Sequence, residues 1–223
     1  RGVVLGGPTG VETELAEELC GRVESLERVR FCNSGTEATL HAIRLARGAT
    51  GRSRIAKFEG GYHGSHDAVE ISVAPPLGQA GPADAPRAVA GVKGLAPGAV
   101  ESAVILPYDD LSAVEAIVER HAESLACILF DAKAGILDTR PEFARAVREL
   151  ARRLDIPFIL DEVVSFRVAR GGWQQVTGID PDLTTLGKAL GGGVGIGCIV
   201  GPDEIMSRLD PALKAQGQYA QGS

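Results

Sequence analysis

Lys188 stands between two threonines and a run of glycines, in Thr184-Thr185-Leu186-Gly187-Lys188-Ala189-Leu190-Gly191-Gly192-Gly193, with apolar neighbours on both sides. An amine in such a setting is either a solvated loop lysine, the common position for this side chain, or a desolvated nucleophile. In the second case its lowered pKa lets it attack a carbonyl and form a Schiff base. The spacing alone leaves both open.

Three further stretches hold residue types suited to such chemistry. Asn33-Ser34-Gly35-Thr36-Glu37-Ala38 follows an apolar run and opens a helical one. Its N–H groups and hydroxyls stand where a helix dipole favours an anion, which makes it a phosphate cup; Ser or Thr followed by Glu also makes an ordinary helix cap. Phe158-Ile159-Leu160-Asp161-Glu162-Val163 is an apolar run ending in two carboxylates. Asp161 is then a solvated edge residue or the partner of a buried cation. If that cation is a protonated ring nitrogen, charge pairing holds the proton and makes the ring an electron sink. In Gly60-Gly61-Tyr62-His63-Gly64 the glycines permit a tight turn that leaves an aromatic ring facing a pocket. The alternatives are that Tyr62 anchors a packed loop and that His63 is a satisfied loop histidine.

The elements that must position these residues are legible as short apolar runs alternating with amphipathic stretches. Residues 29–32, 55–58, 103–106, 127–131, 158–161 and 197–200 read as strands, and residues 36–47, 112–121 and 142–154 as helices with apolar side chains at helical spacing. Buried strands alternating with helices imply right-handed crossovers, a mostly parallel sheet covered on both faces, and functional loops at the strand ends. The segment 74–97, rich in Pro, Gly and Ala and without periodicity, is expected to form a flexible lobe or lid over that end. No internal repeat is present.

Composition agrees with an α/β chain. Of 223 residues 44% are hydrophobic and only 4% aromatic, with 29 glycines, a balance that supports a substantial core with close backbone packing. The 23 basic residues are outnumbered by 29 acidic ones, for a formal charge of -6, which argues against a nucleic-acid partner. Cys20, Cys32, Cys127 and Cys198 are scattered, with no C-x-x-C pair. They are expected to be buried, unpaired thiols in a reducing compartment rather than a disulfide frame or metal site. No apolar run approaches the length of a membrane span and no signal-peptide pattern opens the sequence, so the expected location is the cytoplasm.

Taken together, the motifs NSGTEA, FEGGYHG, LDEVVSFR and PDLTTLGKALGGG resemble the class III, fold type I pyridoxal-phosphate aminotransferases, most closely the glutamate-1-semialdehyde 2,1-aminomutase group and its aminotransferase relatives. The resemblance implies pyridoxal 5'-phosphate as cofactor and amino-group transfer, as aminotransferase or aminomutase, on a small amino acid or amino-aldehyde. It implies that Lys188 forms the Schiff base and Asp161 pairs with the pyridine nitrogen. Val163 packs on one ring face, Tyr62 stacks on the other, and Ser34, Gly35 and Thr36 hold the phosphate. Ser223 takes the place of a threonine whose hydroxyl reaches the phosphate of the neighbouring subunit in the family's homodimer. Residues 1–223 then form the cofactor-binding large domain, with the family's N-terminal segment and C-terminal small domain absent. A truncated, non-catalytic cofactor-binding homologue is the alternative function. A Rossmann-type nucleotide binder is disfavoured, because no G-x-G-x-x-G follows the first strand. The resemblance breaks after residues 127–130, where the family carries a Glu-Pro pair and a longer loop while this chain reads Phe130-Asp131-Ala132-Lys133-Ala134-Gly135-Ile136 and reaches Pro141 sooner. Arg167 and Trp173 carry no assigned role.

Overall fold

Seven short runs rich in β-branched and large apolar residues form the strands β1 (Arg28–Cys32), β2 (Arg54–Phe58), β3 (Ala103–Leu106), β4 (Leu125–Asp131), β5 (Phe158–Asp161), β6 (Leu183–Gly187) and β7 (Gly197–Gly201). The computed structural model describes residues 9–23, 26–132 and 140–216. The strands make one sheet in the order β1-β7-β6-β5-β4-β2-β3. Neighbours from β6 through β3 are parallel, while β7 runs antiparallel to both β6 and β1. The mostly parallel sheet expected from the alternation of strands and helices is what forms.

The helices are α1 (Gly10–Cys20), α2 (Gly35–Thr50), α3 (Leu111–His121), α4 (Pro141–Arg153), and the short α5 (Gly172–Thr177) and α6 (Asp203–Met206). Alternate residues of each central strand pack on opposite faces, as the two-residue period of a strand requires. Phe58, Ile128, Phe130, Phe158 and Leu160 pack with Val114, Val118, Phe143 and Val147 of α3 and α4. Ile55, Cys127, Leu129, Ile159, Leu183 and Ile199 pack with Ala42, Ile43, Leu45 and Ala46 of α2. Trp173 is a packing anchor, its ring 6.3 Å from Phe130 and nearly parallel to it, whereas Arg167 is exposed.

Helix α2 explains its own position. Ser34 caps it by accepting from Glu37 N at 3.1 Å, and Glu37 accepts in return from Asn33 N at 2.9 Å, which satisfies N–H groups at both sides of the cap. The helix extends beyond the expected 36–47 to Thr50 and stops at Gly51, whose φ of 71° ends it in a left-handed turn.

Several elements were not anticipated. Helix α1 has little apolar periodicity; its signal is the capping box between Thr9 and Glu12. Strand β6, which leads directly into Lys188, is hidden in the sequence by the glycines that follow it. The expectation of four buried thiols holds for Cys127 and Cys198, while Cys20 and Cys32 are partly exposed because they lie at the ends of α1 and β1.

The segment 74–97 has no helix or strand, as expected, yet it is tied down at its base. Ser72 Oγ donates to Arg87 O at 3.0 Å and accepts from Val89 N at 3.0 Å, Ile71 bridges Ala90, and Asp67 accepts from Ala96 N at 3.2 Å. Lys57, wholly buried in β2, donates to Ile71 O at 2.6 Å and so fastens this lobe to the sheet.

His66, at the root of the lobe, has its Nε2 3.2 Å from Thr39 Oγ1 on α2. Burial first, then the charges of His63 and Arg47, hold its pKa down at about 4 from an ordinary 6.5. The neutral form is therefore the folded form, so its contribution is present above pH 6.5 and disappears as pH falls toward 4. Over that interval the wild type should lose about 3 kcal/mol more unfolding free energy than His66→Gln. Urea unfolding of both proteins at pH 7 and pH 4.5 checks this; parallel losses would refute it.

Candidate active site

One edge of the sheet collects the carboxyl ends of β1, β2, β4, β5 and β6, and the sequence motifs all lie in the turns that leave it. Ser34, Gly35 and Thr36 follow β1, and Tyr62 and His63 follow β2. Asp131 and Asp161 end β4 and β5, Val163 follows β5, and Lys188 follows β6. All line one cavity of about 650 Å³. Binding at the carboxyl ends of parallel strands is the general rule for open α/β sheets.

Asp161 is the best-fixed member. The parallel register places it between Asp131 on β4 and Thr185 on β6. Its Oδ1 accepts from Thr185 Oγ1 and from Val163 N, each at 3.1 Å, and its Oδ2 lies 2.8 Å from His63 Nδ1. The carboxylate is only 5% exposed. An acid so buried, with two donors on one oxygen and an imidazole nitrogen against the other, is held in one orientation.

Glycine makes the cup close. A Cβ on Gly35 would stand 2.9 Å from both methyl carbons of Val163, so only glycine allows α2 to begin against that side chain. The phosphate-cup and helix-cap readings of Ser34 are compatible: its hydroxyl caps α2, and the residue also lines the cavity. Thr36 Oγ1 accepts from Ser65 N at 3.3 Å. Tyr62 places its ring at the mouth, half exposed, with its hydroxyl 3.2 Å from Ser65 Oγ.

Lys188 lines the cavity, but its own surroundings do not desolvate it. The residue is exposed, because the glycines that follow have no side chains to cover it. Its φ of 46° puts a non-glycine residue in the left-handed region, a strained backbone of the kind that collects at functional sites. Ser223, expected to reach a neighbouring subunit's phosphate, lies outside the described residues. No group of His, Cys, Asp and Glu among the described residues could hold a metal ion.

Sequence reasoning did not assign roles to Thr185, His63 or Glu162. Thr185 was hidden in an unrecognised strand, although its β-branched pair with Thr184 was a signal. Glu162 is fully buried and accepts from Ser165 Oγ at 2.7 Å, Trp173 N at 2.8 Å, Gln174 N at 3.0 Å and Gln174 Nε2 at 3.1 Å. Burial pushes its carboxyl up, against the pull of these donors. It pins the loop between Val163 and α5. Glu162→Ala would strand two buried N–H groups and should cost about 3 kcal/mol or more in urea unfolding. A loss below 1 kcal/mol, about one unmade hydrogen bond, would show that the pin is unimportant.

The arrangement defines an α/β protein of the fold type I pyridoxal-phosphate class, a mostly parallel sheet with a lysine and an acid at adjacent strand ends. Within it, the chain belongs to the class-III aminotransferases, whose family pattern matches residues 6–219. It is 41% identical over 214 residues to a glutamate-1-semialdehyde 2,1-aminomutase of Sulfurihydrogenibium azorense, covering 94% of this chain and 48% of that protein. The aminomutase of Methanothermobacter thermautotrophicus is 42% identical, over 95% of this chain and 49% of its own length. The structure superposes on an omega-transaminase from Sphaerobacter thermophilus with a TM-score of 0.91 at 42% identity, covering all of this chain and 50% of that one. A transaminase with PLP bound gives a TM-score of 0.87 at 37% identity, again over all of this chain and half of the other. The chain thus spans about half the length of the curated relatives it matches.

Proposed function

We propose that this chain is the cofactor-binding portion of a pyridoxal-phosphate enzyme that moves an amino group, between two molecules or within one. The observation that carries the proposal is that Lys188, Asp161 and the N-terminus of α2 line a single cavity.

The residues present suit the cofactor. Ser34, Gly35 and Thr36 offer N–H groups and hydroxyls to a phosphate at the start of a long helix, where the dipole favours an anion. Val163 on one side and Tyr62 on the other suit the two faces of a flat ring, and Asp161 suits a protonated ring nitrogen. Pyridoxal phosphate, when bound, supplies an electron-withdrawing ring that makes the bond next to the substrate's amino group labile. Asp161 would sustain that property by pairing with a proton on the ring nitrogen. Lys188 would hold the group through its ε-amino nitrogen and, as a free amine beside the substrate carbon, would take a proton from that carbon and return it.

The substrate class that fits is a small amino acid or amino-aldehyde. Identity of about 40% both to proteins named as aminomutases and to one named as a transaminase supports amino-group movement in general. Dependence on a keto acceptor distinguishes transfer from rearrangement. We assign the active form as a homodimer, since the half-exposed Tyr62 and exposed Lys188 leave the cavity mouth for a second copy to cover. Four cysteines without a disulfide suit a reducing, cytoplasmic setting. No helix among the described residues is long and apolar enough to cross a membrane.

The test is to incubate the protein with pyridoxal phosphate, reduce with borohydride and map the modified peptide. One adduct, on Lys188, is expected. Labelling spread over Lys93, Lys133 and Lys214 would refute the proposal.

A further inference from the structure

Thr39, one residue past the phosphate-cup motif on α2, is completely buried and carries a hydroxyl to which no role has been given. Four polar atoms lie within reach of its Oγ1. Gly35 O at 3.2 Å and Thr36 O at 3.0 Å are carbonyls of the preceding turn of its own helix, where backbone N–H groups already bond to such carbonyls. His63 O, at 2.6 Å, belongs to the turn after β2, outside any helix or strand. His66 Nε2 is the fourth, at 3.2 Å. A hydroxyl has one proton to donate and can accept as well. The carbonyl at 2.6 Å can only accept, so the proton goes there, and Oγ1 is left to accept the N–H of His66, which puts that ring's proton on Nε2. Turn and helix meet at a second hydroxyl: Thr36, three residues earlier and so on the same side of α2, accepts from Ser65 N at 3.3 Å. The approach is close enough that a Cβ on Gly64, whose φ is 99°, would stand 2.6 Å from Thr36 Oγ1 and 2.7 Å from Thr36 Cα.

We propose that Thr39 is a positioning residue: its hydroxyl, donating to His63 O and accepting from His66 Nε2, holds the turn that carries Tyr62 in place beside the phosphate cup at Ser34–Thr36. The first turns of one helix then fix both the anion end of the cavity and the aromatic ring at its mouth, an arrangement whose meaning for a cofactor rests on the function proposed above. The same hydroxyl ties down the base of the lobe. His66 O accepts from Val69 N at 3.0 Å and Glu70 N at 3.1 Å, and the adjacent Asp67 accepts from Ala96 N at 3.2 Å, so the 74–97 segment is fastened to α2 through Thr39.

The test begins with the cofactor-free protein. Nitrogen-15 spectra at neutral pH should show the His66 ring protonated at Nε2 and bare at Nδ1. Thr39→Val keeps the shape of the side chain without its hydroxyl, and the amides of residues 62–66 should then exchange hydrogen about tenfold faster than in wild type, the scale of one lost buried hydrogen bond. Thr39→Ser, which keeps the hydroxyl, should restore slow exchange. In the cofactor-loaded protein, Thr39→Val should weaken pyridoxal phosphate binding about tenfold and diminish the circular dichroism of the bound cofactor's visible band, with both recovered in Thr39→Ser. A residue needed only for packing would give the opposite order, because valine fills the space and serine leaves a gap. A proton on Nδ1 of His66 with Nε2 bare, unchanged exchange at residues 62–66 in Thr39→Val, or unchanged cofactor affinity in that variant while Lys188 carries its adduct, overturns the proposal. Should Thr39→Val fail to fold, the wild-type ring spectrum and the exchange in His66→Leu, expected to quicken likewise, decide in its place. Absence of the Lys188 adduct refutes the proposed function instead, and the cofactor-free readouts still decide the role of Thr39.

Discussion

Lys188→Ala should take no borohydride-reducible pyridoxal phosphate at all, while unfolding at the same urea concentration as wild type to within a few tenths of a kcal/mol. The first half follows because Lys188 is the only amine on the wall of the cavity among the described residues. The nearest chemical substitute, Lys57, is buried on β2 and bonded to Ile71 O. The second half follows from exposure: Lys188 contributes no apolar burial to the core, so truncating it creates no cavity. Alanine still carries a Cβ and leaves the left-handed strain in place. Lys188→Gly, by contrast, relieves it and should raise the unfolding free energy by about 1 kcal/mol while also losing the adduct. Such a gain on deleting a proposed catalytic side chain would show that the fold tolerates the strain for function. Mass spectrometry of the reduced protein and urea titration of the three forms read both halves. A single persistent adduct in Lys188→Ala would overturn the assignment of the anchor.

Asp161→Asn should permit attachment to Lys188 yet slow proton exchange at the substrate carbon by about a hundredfold or more, the scale of losing one pre-organised charge at a reacting centre. Asparagine nearly preserves shape, so the cofactor still fits. What changes is charge and hydrogen-bond direction. The wild-type carboxylate accepts from Thr185 and Val163 at one oxygen and meets His63 Nδ1 at the other, and an amide can accept at only one of its two ends. Its NH₂ group must then face either the Thr185 and Val163 donors or His63, which would have to present a bare Nδ1, so a stability cost of about 1–3 kcal/mol should accompany the kinetic loss. Loss of deuterium from the labelled substrate carbon, followed by NMR in wild type and variant, separates the two effects, because attachment is scored independently by reduction. Equal exchange rates would refute the role given to Asp161.

Much of this was legible along the chain. The period-two and period-3.6 patterns located six of the seven strands and the helices α2, α3 and α4, since both patterns reflect burial of one or two faces and burial is local in its demand on residue type. The Ser34 cap, the acid at the end of β5 and the lysine after a threonine pair were visible because each depends on a residue type that few other contexts require. Strand β6 escaped because the glycines after it resemble a loop, and α1 escaped because its register comes from a cap rather than an apolar stripe. Of the two settings left open for Lys188 the structure shows the exposed one: glycines leave room for a cofactor, and room admits water.

Residue types and motif order along the chain determined the α/β class and the family, and marked Lys188 and Asp161 as the candidates for anchor and acid partner. Only the tertiary structure decided that His63 and Thr185 share Asp161, that Glu162 faces inward to pin a loop, and that Gly35 leaves the space in which α2 begins against Val163. These are contacts between residues far apart in sequence, made where parallel strands end side by side. Hydrogen bonds and close approaches across strands depend on register and crossover, which no local pattern encodes.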